Sequence, residues 1–100
     1  MQNIVENFIK TYNLQTDATT RYIDLMSELG ELGKEIIKAT EYGKKNLQLS
    51  DPMINEIGDC LFSLLALCCE LNVNAEKALL KSLSKYELRL TDKGHIDSGR

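Results

Sequence analysis

Between Met53 and Cys69 the chain has almost no polar side. Met53, Ile54, Ile57, Leu61, Phe62, Leu64, Leu65, Leu67 and Cys68 fall at nearly every angle around a helix, and Glu56, Asp59, Ser63, Ala66 and Glu70 fill the one strip left over. At about 100° per residue that strip is far narrower than the polar half of a helix lying on a protein surface. The segment therefore predicts a helix largely enclosed by others. Its acids then make a demand. An enclosed carboxylate loses hydration, and Glu56 and Asp59, three residues apart, also repel, so a cation from Arg, Lys or a metal has to answer them.

The remaining segments supply the helices that would do the enclosing. Ile4, Val5, Phe8, Ile9 and Tyr12 recur at helical spacing and predict a short helix over 2–13. Tyr22, Leu25, Met26, Leu29, Leu32, Ile36 and Ile37 predict a longer one over 17–42, with Thr16 or Asp17 as its cap and Gly43 as its stop. After a polar connection, Asp51 and Pro52 suit the N-cap and first helical position of the apolar helix, expected to run to about residue 71. Asn74 can cap a fourth helix carrying Ala75, Leu79, Leu83, Tyr86 and Leu90 on one side and ending near Leu90. Residues 91–100, with Gly94, Gly99, Asp92, Asp97 and Ser98 around the single sizeable apolar residue Ile96, read as a flexible tail.

No strand-like alternation of useful length occurs, so the expected fold is all-α: one four-helix bundle-like domain over residues 1–90. A chain of 100 residues cannot cover four helices this apolar. Completion by homo-oligomerisation, as a homodimer or homotetramer, is expected.

A formal net charge of −3 argues against nucleic acid as a partner, because neutralising phosphates takes a concentrated basic surface. The nearly apolar run from Cys60 to Cys69 is ten residues, about half a bilayer span, so no membrane partner is expected. No basic start or small-residue cleavage site marks the segment after Met1 for export, and Cys60, Cys68 and Cys69 lack CxxC spacing. These features suit buried thiols in a reducing cytoplasm.

Glu28 and Glu31 on the second helix repeat the three-residue spacing of Glu56 and Asp59 on the third. With Asp24 and Glu35 the first pair forms a stripe far around from the apolar one, which any solvated face also shows. If the two helices pack antiparallel with acidic strips facing, four carboxylates converge into hard oxygen ligands suited to Mg²⁺ or Mn²⁺. Zinc and di-iron sites fit worse, since the single histidine, His95, lies in the expected tail and no ExxH spacing occurs.

ExxE on one helix, some two dozen residues, then ExxD on the next resembles the MazG-type, all-α nucleoside triphosphate pyrophosphohydrolases, relatives of the dimeric dUTPases. The surroundings are similar too: SELGELGKE over 27–35, EIGDCLFSL over 56–64 and KSLSKYELR over 81–89. Ser27 stands where members often carry a further acid. The resemblance implies Mg²⁺ on Glu28, Glu31, Glu56 and Asp59, scission of the α-β phosphoanhydride of a nucleoside triphosphate, and release of a nucleoside monophosphate and pyrophosphate. Glu28 or Glu31 would orient or deprotonate the attacking water.

Lys77, Lys81, Lys85 and Arg89 form a basic ridge that can reach phosphates, with Tyr86 beside it; a solvated lysine ridge explains the spacing equally well. Lys34 and Lys38 are weaker candidates, better explained by pairing with neighbouring acids on their own helix. Two rival readings stay open: a dUTPase-like or dCTPase-like specificity in place of broad house-cleaning, and a non-catalytic helical interaction module whose acids are surface charge.

Overall fold

Four helices form among the described residues, and the two long central ones carry most of the packing. The computed structural model describes residues 1–93. Its elements are α1 (Gln2–Thr11), α2 (Ala18–Ala39), α3 (Asp51–Glu70) and α4 (Ala75–Lys93), with no strand among the described residues. The chain is all-helical, as its periodicity predicts.

The helix ends show which side chains compete for the terminal backbone groups. Asp17 caps α2 by accepting the Thr20 N–H at 2.7 Å, and Asn74 accepts the Lys77 N–H at 2.9 Å at the start of α4. At α3 the cap is Ser50, whose Oγ accepts the Met53 N–H at 3.3 Å, so Asp51 and Pro52 lie inside the first turn, one position later than expected. The second helix stops at Ala39, before Gly43. There the Thr40 hydroxyl donates to the Ile37 carbonyl at 3.1 Å and accepts the Gly43 N–H at 3.1 Å, while Glu41, Tyr42 and Gly43 all turn to positive φ. At the other extreme α4 runs past Leu90. The Thr91 hydroxyl donates back to the Leu88 carbonyl at 2.9 Å and leaves the helical backbone bonds intact. Residues 91–93 of the expected tail are thus helical, and 94–100 lie outside the described residues.

Arg21 near the start of α2 meets Glu70 at the end of α3, and Glu28 meets Glu56, so the pair is antiparallel. The shielded positions step by fours and threes along both helices: Arg21, Leu25, Glu28, Leu32, Glu35 and Ala39 on α2, and Met53, Glu56, Cys60, Ser63, Leu67 and Glu70 on α3. This is the 3.5-residue repeat of two helices lying nearly parallel in axis. α1 packs on another side of α3. Val5 and Ile9 bury against Leu65 and Ala66, and Phe8 sets its ring edge-on to Phe62 at 5.9 Å. Burying Val5, Ile9 and Leu65 contributes roughly 1.5–3 kcal/mol each.

Enclosure of α3 is only partial within one chain. Met53, Ser63, Leu65 and Ala66 are buried, whereas Ile54, Ile57, Leu61 and Leu64 stay 39–48% exposed. With Cys68 and Leu71 they form a second line at alternating three- and four-residue steps, beside an equally exposed Tyr22, Met26, Leu29 and Ile36 on α2. α4 touches the other helices only marginally, and Leu79, Leu80, Leu83, Leu88 and Leu90 are about half exposed. The radius of gyration is 16.7 Å, against about 13 Å for a close-packed domain of this length. One helix, Asp51–Glu70, is also long and apolar enough to cross a membrane, with a mean hydropathy of 1.4 over its best window. The ten-residue run noted in the sequence underestimates it, because the helix extends the apolar stretch on the N-terminal side across Glu56 and Asp59.

Candidate functional site

Three of the four predicted ligands converge. One carboxylate oxygen each from Glu28, Glu56 and Asp59 lies within 4.8 Å of the others. Glu28 and Glu56 occupy the shielded α2–α3 seam and are half-buried, while Asp59, one turn along from Glu56, sits at its open edge. Glu31 is exposed and outside this triad, although its charge is felt by Glu56. The α2 acids lean inward because the contact line runs along the border of the apolar stripe, through Leu25 and Leu32, and takes Glu28 and Glu35 with it. Glu35 has its own partner in Lys38, at 3.8 Å.

Acids on a surface often gather without consequence, so what matters is how this group is compensated. The Glu56 Oε2 atom is shielded from solvent and has no hydrogen-bond partner. Burial, then the charges of Asp59 and Glu28, hold the Glu56 carboxyl above its ordinary range; a hydrogen bond with Glu28 and the charge of Glu31 push the same way. Two carboxyls can share a hydrogen bond only if one is protonated. No ion pair to Glu28, Glu56 or Asp59 forms among the described residues. Three carboxylate oxygens at these separations are a donor set suited to a hard divalent cation, and a bound cation would satisfy the orphaned oxygen.

Cys60 borders the cluster, a neighbour that sequence reading treated only as a buried thiol. Burial and the charges of Glu28, Glu56 and Asp59 together push its thiol above the usual range, which disfavours the thiolate there. Its four-residue spacing from Glu56 was the available signal.

The basic ridge stands elsewhere. Lys85 Nζ lies 5.3 Å and Arg89 Cζ 5.8 Å from the centroid of the Tyr86 ring, so two cations flank one aromatic on α4. Lys81 is exposed on the same helix. Within one chain the ridge lies on α4, which touches the helices that carry the acids only marginally. Lys34 and Lys38 line a shallow hollow on α2 with Gly30, Gly33, Ile37 and Tyr42.

No protein-family model, curated protein or solved structure matches the chain.

Proposed function

We propose that the chain is a Mg²⁺-dependent nucleoside triphosphate pyrophosphohydrolase that cuts the α-β phosphoanhydride and releases a nucleoside monophosphate and pyrophosphate. The observation that carries this reading is the uncompensated meeting of Glu28, Glu56 and Asp59 from two helices, with a shielded and unpartnered oxygen on Glu56. The similarity of the two acidic motifs to the MazG-type enzymes supports it.

Glu28, Glu56 and Asp59 would hold Mg²⁺, or Mn²⁺ in its place. When bound, such an ion neutralises phosphate oxygens and lowers the pKa of a coordinated water. Glu31, one turn from Glu28 and outside the triad, has its carboxylate free to orient the attacking water and take its proton; Glu28 is the other group close enough to share that role. Lys81, Lys85 and Arg89 offer positive charge to the phosphates, and Tyr86 offers a flat apolar surface beside them.

Self-association belongs to the same proposal. The chain exposes 7644 Å², where about 5,700 Å² is the norm for a folded monomer of this mass. The excess is more than the roughly 800 Å² that each partner gives up in a standard interface. A second copy of the chain covers the exposed stripes of α2 and α3 and brings its own α4, with the basic ridge, toward the acids. A homodimer, or a homotetramer built from two, meets that need. Free Cys60, Cys68 and Cys69 suit a cytoplasmic setting, and acids in the middle of α3 suit a soluble bundle over a membrane span.

The test is to incubate purified protein with each common and oxidised (deoxy)nucleoside triphosphate plus Mg²⁺ and to follow pyrophosphate, with Glu56→Ala and Asp59→Ala beside it. Pyrophosphate from wild type alone supports the reading, and the preferred nucleotide separates dUTPase-like or dCTPase-like specificity from broad house-cleaning. Orthophosphate as first product contradicts the assigned bond. No product, with no effect of Mg²⁺ on stability, favours a helical interaction module.

A further inference from the structure

Gln2 reaches across the molecule to the turn between α3 and α4. Its side-chain Nε2 donates to the Val73 carbonyl at 2.8 Å, and its Oε1 accepts the Ala75 N–H at 2.7 Å, spanning more than seventy residues of sequence. The Nε2 also lies 3.9 Å from the Cys69 sulfur. The Ala75 N–H is one of the donors left over at the start of α4, so one amide both ties the turn to α1 and caps the next helix. Asn72 makes the same turn in the left-handed region at φ 55°, where the Val73 N–H donates to the Cys68 carbonyl at 2.9 Å.

Beyond that turn the other helices hold α4 only weakly. Ala75, beside the α1–α3 core, is its main anchor, and the helix touches the remaining helices only marginally. Nineteen residues of helix make an arm about 28 Å long, so a tilt of roughly 10° at Ala75 displaces the far end by about 5 Å. That is a full helical turn, enough to move Leu83, Tyr86 and Leu90 out of register with any surface they meet.

We propose that Gln2 is a positioning residue that aims α4 at a second copy of this chain. The inference rests on the self-association argued above and not on the hydrolytic reading. Removing the amide leaves the α1–α3 core in place and frees the arm, so assembly weakens while the fold survives.

The experiment is sedimentation of the full chain, wild type against Gln2→Ala and Gln2→Glu, with amide hydrogen exchange on the same samples. The expected result is a wild-type dimer, a dissociation constant raised at least tenfold in Gln2→Ala, and exchange at the Ala75 amide faster by a similar factor, with Val5, Ile9 and Leu65 unchanged. Gln2→Glu, which keeps the acceptor for Ala75 but loses the donor to Val73, should fall between the two; it decides the matter if Gln2→Ala exchanges fast throughout. A Gln2→Ala dimer as tight as wild type overturns the role of Gln2 alone, as does unchanged protection at Ala75. A monomeric wild type overturns the self-association itself.

Discussion

Arg21 and Glu70 close one end of the α2–α3 seam, with Nε 3.6 Å from Oε1 and side chains only 8% and 17% exposed. The guanidinium also donates to the Leu14 carbonyl, and Glu70 accepts the Thr16 N–H at 3.3 Å, so the pair stitches the α1–α2 connection to the end of α3. Two turns on along α2 and four turns back along α3, Glu28 and Glu56 have no counter-charge among the described residues. One repeat thus holds a neutralised acid and an unneutralised pair, and the difference separates scaffold from candidate site.

Removing one partner of the shielded pair should be costly. Arg21→Ala leaves Glu70 desolvated without a counter-charge and should lower stability by about 3 kcal/mol. The joint change Arg21→Met with Glu70→Leu, which removes both charges, should cost much less. Urea unfolding of the three variants measures this, and a joint variant as weak as the single one would falsify the assignment.

Glu56→Gln should do opposite things to stability and to function. It relieves the repulsion from Asp59 and Glu28, so without divalent metal its melting temperature should exceed that of wild type. It also removes a ligand, so hydrolysis should fall at least about 100-fold, beyond what outer-shell changes cost. Thermal melts with and without Mg²⁺, together with pyrophosphate release, give both signs.

The pH dependence follows from two shifted carboxyls. Asp17, held below the ordinary carboxylate range by the N–H of Thr20, adds stability above its unfolded pKa, which is lost as pH falls through its lowered folded value. Glu56, raised above 4.5, adds stability below that pH, which is lost as pH rises through its raised folded value. The metal-free chain should therefore be most stable in mild acid and lose stability toward neutrality. Saturating Mg²⁺, which binds the ionised carboxylates, should abolish the neutral-side loss. Melting curves across pH 3 to 8 in EDTA and in Mg²⁺ measure it, and identical neutral-side slopes would count against a cation on Glu56.

Ile57→Asp and Leu64→Asp lie on the exposed stripe of α3, so within one chain they should change stability by no more than about 0.5 kcal/mol. In the assembled protein they place a charge in an apolar interface and should yield monomers. Sedimentation decides: variants that retain the wild-type mass show that the stripe is not the contact.

On α4, Lys81→Ala, Lys85→Ala and Arg89→Ala each remove a charge that, under the proposed function, meets the phosphates in the ground state as well as the transition state. Each should raise KM about tenfold with kcat nearly unchanged. A loss confined to kcat would instead place that side chain on the developing charge.

Fold class was legible from periodicity, because the spacing of Ile4, Val5, Phe8 and Ile9, or of Leu79, Leu83, Tyr86 and Leu90, admits no other regular structure. The caps at Asp17 and Asn74 were legible for the same local reason: a short polar side chain beside orphaned N–H groups. At the start of α3 and the end of α2 the local pattern pointed to Asp51 and Gly43, whereas the backbone uses Ser50 as the cap and stops at Ala39, with Thr40 bonding the turn that follows.

The sequence by itself determined four helices and two acid pairs at matching spacing. Only tertiary packing decided that Glu28, viewed on α2 alone as part of a solvated stripe, turns inward, that Glu31 does not, and that Arg21 answers Glu70. The reason is that helical spacing fixes which residues share a face, while the rotation of one helix against another, set by how their 3.5-residue repeats interlock, selects the side that is shielded.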